Sequence, residues 1–127
     1  MKELKISAEL ASAVLGKEVT KCSLINTTRN SINITYLEDK DDFNTNYREM
    51  NICEFAFKCK DWAYINDYNV IDYKIGKKEL DVFIIKADKN DFNKVEKIFY
   101  HNSTLVEGVI KACEWILEKN KKNLKQI

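Results

Sequence analysis

The tightest constraint on this fold is a pair of segments in which a cysteine and a tryptophan lie close together on one side of an amphipathic helix. They are Ile52-Cys53-Glu54-Phe55-Ala56-Phe57-Lys58-Cys59-Lys60-Asp61-Trp62-Ala63 and Val109-Ile110-Lys111-Ala112-Cys113-Glu114-Trp115-Ile116-Leu117. In the first, Ile52, Phe55, Ala56, Cys59, Trp62 and Ala63 fall three and four apart; in the second, Leu105, Val106, Val109, Ile110, Cys113, Ile116 and Leu117 form a similar stripe. Such a stripe has to be buried against another apolar surface. The strand-like sequence flanking both helices supplies it, so helices packed on a small sheet are expected. The Cys–Trp spacings differ between the two segments, which argues against an internal duplication.

The other elements follow from periodicity and punctuation. Ser7 offers an N-cap, Ala8 to Leu15 holds good helix formers, and Gly16 suits the left-handed position past a helix end. Glu18 to Thr27 alternates around Cys22 and Leu24, Thr28-Arg29-Asn30 makes a turn, and Ile32, Ile34 and Tyr36 alternate in a second strand. Glu38 to Glu49 is polar and without period, so it reads as a loop or irregular excursion. Asn51 caps the next helix, with Glu54 placed to reciprocate and Met50 to staple onto Phe55. Tyr68 to Ile75 and Leu80 to Ala87 flank Gly76-Lys77-Lys78 as a hairpin; turn chemistry at Asp88 to Asp91 precedes a strand from Lys94 to Tyr100. Thr104 and Glu107 make a capping box for the last helix, and the lysines from Lys119 to Lys125 complement its C-terminal dipole. The expected order is α-β-β-α-β-β-β-α. It forms a single α+β domain over residues 1–127, with a mainly antiparallel sheet covered by amphipathic helices.

Composition narrows the function classes. A chain of 127 residues with 45% hydrophobic and 32% charged residues has the profile of one ordinary domain. No run is long and apolar enough to span a bilayer, and Met1-Lys2-Glu3-Leu4-Lys5 lacks the pattern of a signal peptide. A cytoplasmic protein is expected. The formal net charge is +1 and the only arginines are Arg29 and Arg48, a poor endowment for sequence-specific nucleic-acid reading. The cysteines Cys22, Cys53, Cys59 and Cys113 contain no Cys-x-x-Cys pair and read as small buried hydrophobes.

The layout resembles small bacteriophage and prophage proteins grouped as phage α-β-α sandwich domains. The likeness is carried by Asn51-Ile52-x-Glu54-x-Ala56-x-Lys58-Cys59-Lys60-Asp61-Trp62-Ala63, by Lys111-Ala112-Cys113-Glu114-Trp115-Ile116-Leu117, and by the opening helix that ends at Gly16. Ser103-Thr104-Leu105-Val106-Glu107-Gly108 departs from the small-residue or proline-containing entry usual before the last helix. The resemblance implies a fold and a phage setting, in the host cytoplasm, and assigns no site.

No catalytic pattern stands out. His101 is the only histidine, and nothing around it resembles a nucleophile elbow or a triad order. One histidine and scattered cysteines lack the spacing of a tetrahedral metal site. A calcium loop begun at Asp42 would place Tyr47 where glycine is required and Cys53 where the bidentate glutamate belongs. Three glycines make no phosphate cradle. No cofactor, no metal and no enzymatic activity are expected. The remaining signal is aromatic: Phe43, Tyr47, Tyr64, Tyr68, Tyr73 and Tyr100 exceed what one small core needs, and Phe43, Tyr47 and Arg48 share one polar segment. Tyrosine and arginine are enriched at binding hot spots. The candidate ligand- or partner-binding residues are therefore Phe43, Tyr47, Arg48, Arg29, Tyr100 and His101. The expected function is that of a non-enzymatic phage accessory binding protein, a homo-oligomer directed against host defence. Its target would be a small nucleotide-derived immune signal or, alternatively, a host defence protein masked by contact. A prophage structural or housekeeping module is the remaining alternative.

Overall fold

A computed structural model of the chain describes residues 5–26, 32–39, 45–75, 79–86, 95–101 and 105–125. The elements are α1 (Ala8–Leu15), β1 (Val19–Asn26), β2 (Ile32–Asp39), β3 (Thr45–Asn51), α2 (Ile52–Ile65), β4 (Tyr68–Ile75), β5 (Glu79–Lys86), β6 (Val95–His101) and α3 (Leu105–Lys125). The fold is α+β, and every strand pairing is antiparallel, as alternation and hairpin-length connections require. The strands divide into two sheets, ordered β1-β2-β3 and β4-β5-β6. Helix α2 joins the sheets in sequence and packs on both, while α3 covers the second and also touches α1.

The local rules operate as the sequence implies. Ser7 Oγ accepts from the Leu10 N–H at 3.1 Å, and Gly16 closes α1 with φ 66°, a conformation that costs glycine nothing. Asn51 ends β3 and caps α2, its Oδ1 accepting from the Cys53 N–H at 2.8 Å. In β1 the register shifts between Val19 and Lys21. That bulge brings Val19 into the core while Cys22 and Leu24, out of phase with it, still pack there. The turns at Thr28-Arg29-Asn30, Gly76-Lys77-Lys78 and Asp88 to Asp91 and the Thr104 cap lie outside the described residues.

The segment expected as a loop is in part a strand. The polar segment from Glu38 to Glu49 contains the end of β2 and most of β3, whose Cα partners run from Asn33 opposite Asn51 to Asp39 opposite Thr45. An edge strand buries little side chain, so Arg48 and Glu49 need not alternate with apolar residues; backbone pairing to β2 defines it.

The core is one continuous cluster. Leu10, Ile34, Phe55, Ile84, Ile110 and Ile116 are its largest fully buried side chains, drawn from all three helices and both sheets. Cys59 and Cys113 meet at the seam between α2 and α3, where the Cys113 Sγ donates to the Cys59 carbonyl at 3.4 Å. The Cys59 thiol is held far above its ordinary range by its hydrogen bond with Cys113 and by burial. It is a packing group rather than a nucleophile. Trp62 and Trp115 sit half-buried on the rim of this core. The reading of the cysteines as buried hydrophobes holds for Cys59 and Cys113; Cys22 is half-buried and Cys53 exposed. Cys53 lies off the apolar stripe of α2, which is why burial misses it.

Candidate binding surfaces

Strand β3 is an edge of its sheet, with β2 on one side and no described strand on the other. Tyr47 stands opposite Leu37 and Arg48 opposite Tyr36. Successive strand residues project to opposite faces, so Tyr47 lies on the outer face and Arg48 on the face shared with buried Tyr36 and Ile34. Both are exposed, Tyr47 by 71%. The two do not converge on one small pocket; they flank the open edge. Glu49 is fixed by Asn33, whose Nδ2 donates to its carboxylate at 2.8 Å.

The remaining sequence candidates are dispersed. Phe43 and Arg29 lie outside the described residues. Tyr100 and His101 close β6, their Cα atoms opposite Asp81 and Leu80 in the second sheet. Of the surplus tyrosines, Tyr68 is only 4% exposed and belongs to the core. Its ring meets Trp115 edge-on with centroids 6.4 Å apart, a favoured aromatic geometry.

Helix α2 carries a second surface. Its inner stripe of Ile52, Phe55, Ala56, Cys59 and Ala63 is buried. Its outer side exposes Phe57 by 72%, Tyr64 by 66% and Ile65 by 79%. A groove of about 450 Å³ runs along this side, lined by Cys53, Glu54, Phe57, Lys58 and Asp61. Of these exposed residues Tyr64 alone stands out in the sequence, as a surplus aromatic; Phe57 and Ile65 escape notice because they lie off the buried stripe. The available signal was the converse: large apolar residues on the polar arc of the same helical period.

Among the described residues, no three histidine, cysteine, aspartate or glutamate side chains gather as a metal site would require. No described helix is long and apolar enough to cross a membrane. Compared with protein-family models, curated proteins and solved structures, the chain matches none. The surfaces themselves are therefore the basis for a functional reading. They present an open strand edge bracketed by an aromatic and a cation, and a helix face with aromatics around a shallow groove.

Proposed function

We propose that this is a non-enzymatic accessory binding protein of the phage or prophage type, which acts by masking a partner protein through the open edge of β3. The observation that carries the reading is the placement of exposed Tyr47 and Arg48 on opposite faces of that edge strand. An extended segment added to a sheet edge gains main-chain hydrogen bonds, and side chains on alternate faces choose its sequence. Tyr47 would cover the added strand from the outer face. Arg48 would reach across it from the inner face and favours a segment with an acidic residue. Capture of a nucleotide-derived signal needs groups that converge on a pocket, and adjacent residues of one strand diverge. Masking of a host defence protein is the reading this geometry favours over signal capture.

The test is affinity capture from host lysate, with Tyr47→Ala and Arg48→Ala as controls. Both positions are exposed, so the variants are expected to keep their melting temperature within a degree or two while losing the captured protein. A thermal-shift series with nucleotides and cyclic nucleotides runs beside it. A rise in melting temperature that scales with ligand concentration would reject masking in favour of signal capture.

A further inference from the structure

The outer face of α2 exposes residues that complement one another when the helix is turned end over end. Phe57 and Tyr64 lie one heptad apart in one row with Cys53; Lys58, Asp61 and Ile65 run beside them. Among the described residues Lys58 forms no ion pair with either Glu54 or Asp61, the acids placed four residues before it and three after. Phe57 lines the groove, while Tyr64, two turns along, is exposed and lies outside its lining. A shallow groove and a second exposed aromatic thus occupy one helix face.

We propose that this face seats a second copy of the chain in an antiparallel two-fold pairing of α2 with α2. A two-fold axis perpendicular to the helices brings each row onto the same row of the partner. Setting it level with residue 60, and using a rise of about 1.5 Å per residue, places Phe57 within about 1.5 Å axially of the partner's Tyr64. The same setting places Lys58 within about 1.5 Å axially of the partner's Asp61. One register therefore makes two aromatic contacts and two ion pairs, and each groove receives the other copy's Tyr64. Glu54 and Asp61 disfavour an anionic membrane or nucleic acid at this face, and Lys58 lies where a uniformly basic partner would be repelled. Both signs and both aromatic halves are on the same chain, which is the condition for an isologous interface. The pairing is small. One helix face per protomer falls below the roughly 1,200 Å² of a standard interface, so a weak, concentration-dependent dimer is expected.

The test uses two single reversals, Lys58→Asp and Asp61→Lys, followed by sedimentation equilibrium up to roughly millimolar chain concentration. The wild-type chain is expected to dimerise. Each variant alone faces like charges across the axis and is expected to dimerise at least about tenfold more weakly. Mixed in equal amounts, the two variants restore opposite charges at both crossings, so a heterodimer of near wild-type strength forms. Its recovery also shows that both variants are folded. Three outcomes overturn the proposal: a wild-type chain that stays monomeric throughout, a dimer indifferent to both reversals, or two weakened variants whose mixture stays weak.

Discussion

Helices α2 and α3 share a buried cysteine and a half-buried tryptophan, yet their remaining faces differ. Around α3, polar groups are engaged. Glu114 accepts from the Ser7 hydroxyl at 2.7 Å, Lys119 pairs with Glu96 at 2.7 Å, and Lys121 pairs with Glu9 and Glu118. The Lys119 ammonium also stands 5.1 Å from the Trp115 ring centroid and 5.9 Å from that of Tyr68. Helix α3 is thereby tied to α1, β4 and β6. Helix α2 completes its share of the core with one stripe and turns Phe57, Tyr64 and Ile65 outward. The shared signature marks where each helix meets the core. What distinguishes them is the apolar surface left over, and that surplus points to recognition.

The largest expected effect contrasts two phenylalanines of α2. Phe55→Ala empties a fully buried site and is expected to remove about 3–5 kcal/mol of stability. Phe57→Ala, two residues on, changes a mostly exposed side chain and is expected to stay within about 0.5 kcal/mol in dilute solution. Urea denaturation reads both. A Phe57→Ala loss approaching that of Phe55→Ala would mean the outer face of α2 belongs to the core after all.

A smaller effect tests whether the polar ties of α3 contribute. Lys119→Met removes the Glu96 pair and the cation over Trp115, at a cost of roughly 0.5–1 kcal/mol because both charges keep solvent contact. The Lys119 pKa is raised, chiefly by its hydrogen bond with Glu96, above the ordinary 10.5. A raised lysine stabilises the fold fully below that ordinary value, and the contribution fades as pH climbs through the folded-state value. The difference between wild type and Lys119→Met is therefore expected to be constant at neutral pH and to shrink above pH 10.5. A difference that persists unchanged in alkali would assign the loss to packing of the lysine stem.

These contrasts also explain what was legible in the sequence. The bounds of α1 follow from Ser7 and Gly16, the start of α2 from Asn51, and the core of both long helices from apolar spacing. Those signals are local, or repeat within one element. Strand β3 was missed because an edge strand takes its identity from the partner backbone, and Thr45 to Asn51 carries no alternation of its own. The division into two sheets was hidden for a related reason: alternation within a strand says nothing about which strand lies beside it. At the candidate site, Tyr47 and Arg48 were visible as residue types, but their divergence depends on a strand where a loop was expected. Tyr64 was legible as a surplus aromatic but not as part of a helix face, and Phe57 lay on the arc of the helical period opposite the buried stripe.

The smallest expected effect concerns Glu114, where α3 meets α1 and burial opposes charge. Its pKa is raised, chiefly by burial, against the lowering effect of the Ser7 hydrogen bonds. A carboxyl whose folded-state pKa exceeds its ordinary 4.5 holds its proton more tightly in the folded protein. Stability is therefore greatest below that ordinary value and falls as pH rises through the folded one. Glu114→Gln keeps an oxygen to accept from Ser7 and discards the charge. The variant is expected to match wild type in acid and exceed it slightly at neutral pH, with the difference opening just above pH 4.5. The same carboxylate also bears on Cys22, whose thiol is pushed up to about 11, first by burial and then by the Glu114 charge. Removing the charge should move the pH profile of Cys22 alkylation downward while leaving its burial intact. If the stability difference opens and the alkylation profile stays fixed, Glu114 acts through its own desolvation alone. If the profile moves with it, the Glu114 charge also couples α3 to Cys22 of β1, in addition to the Ser7 hydrogen bond at the start of α1.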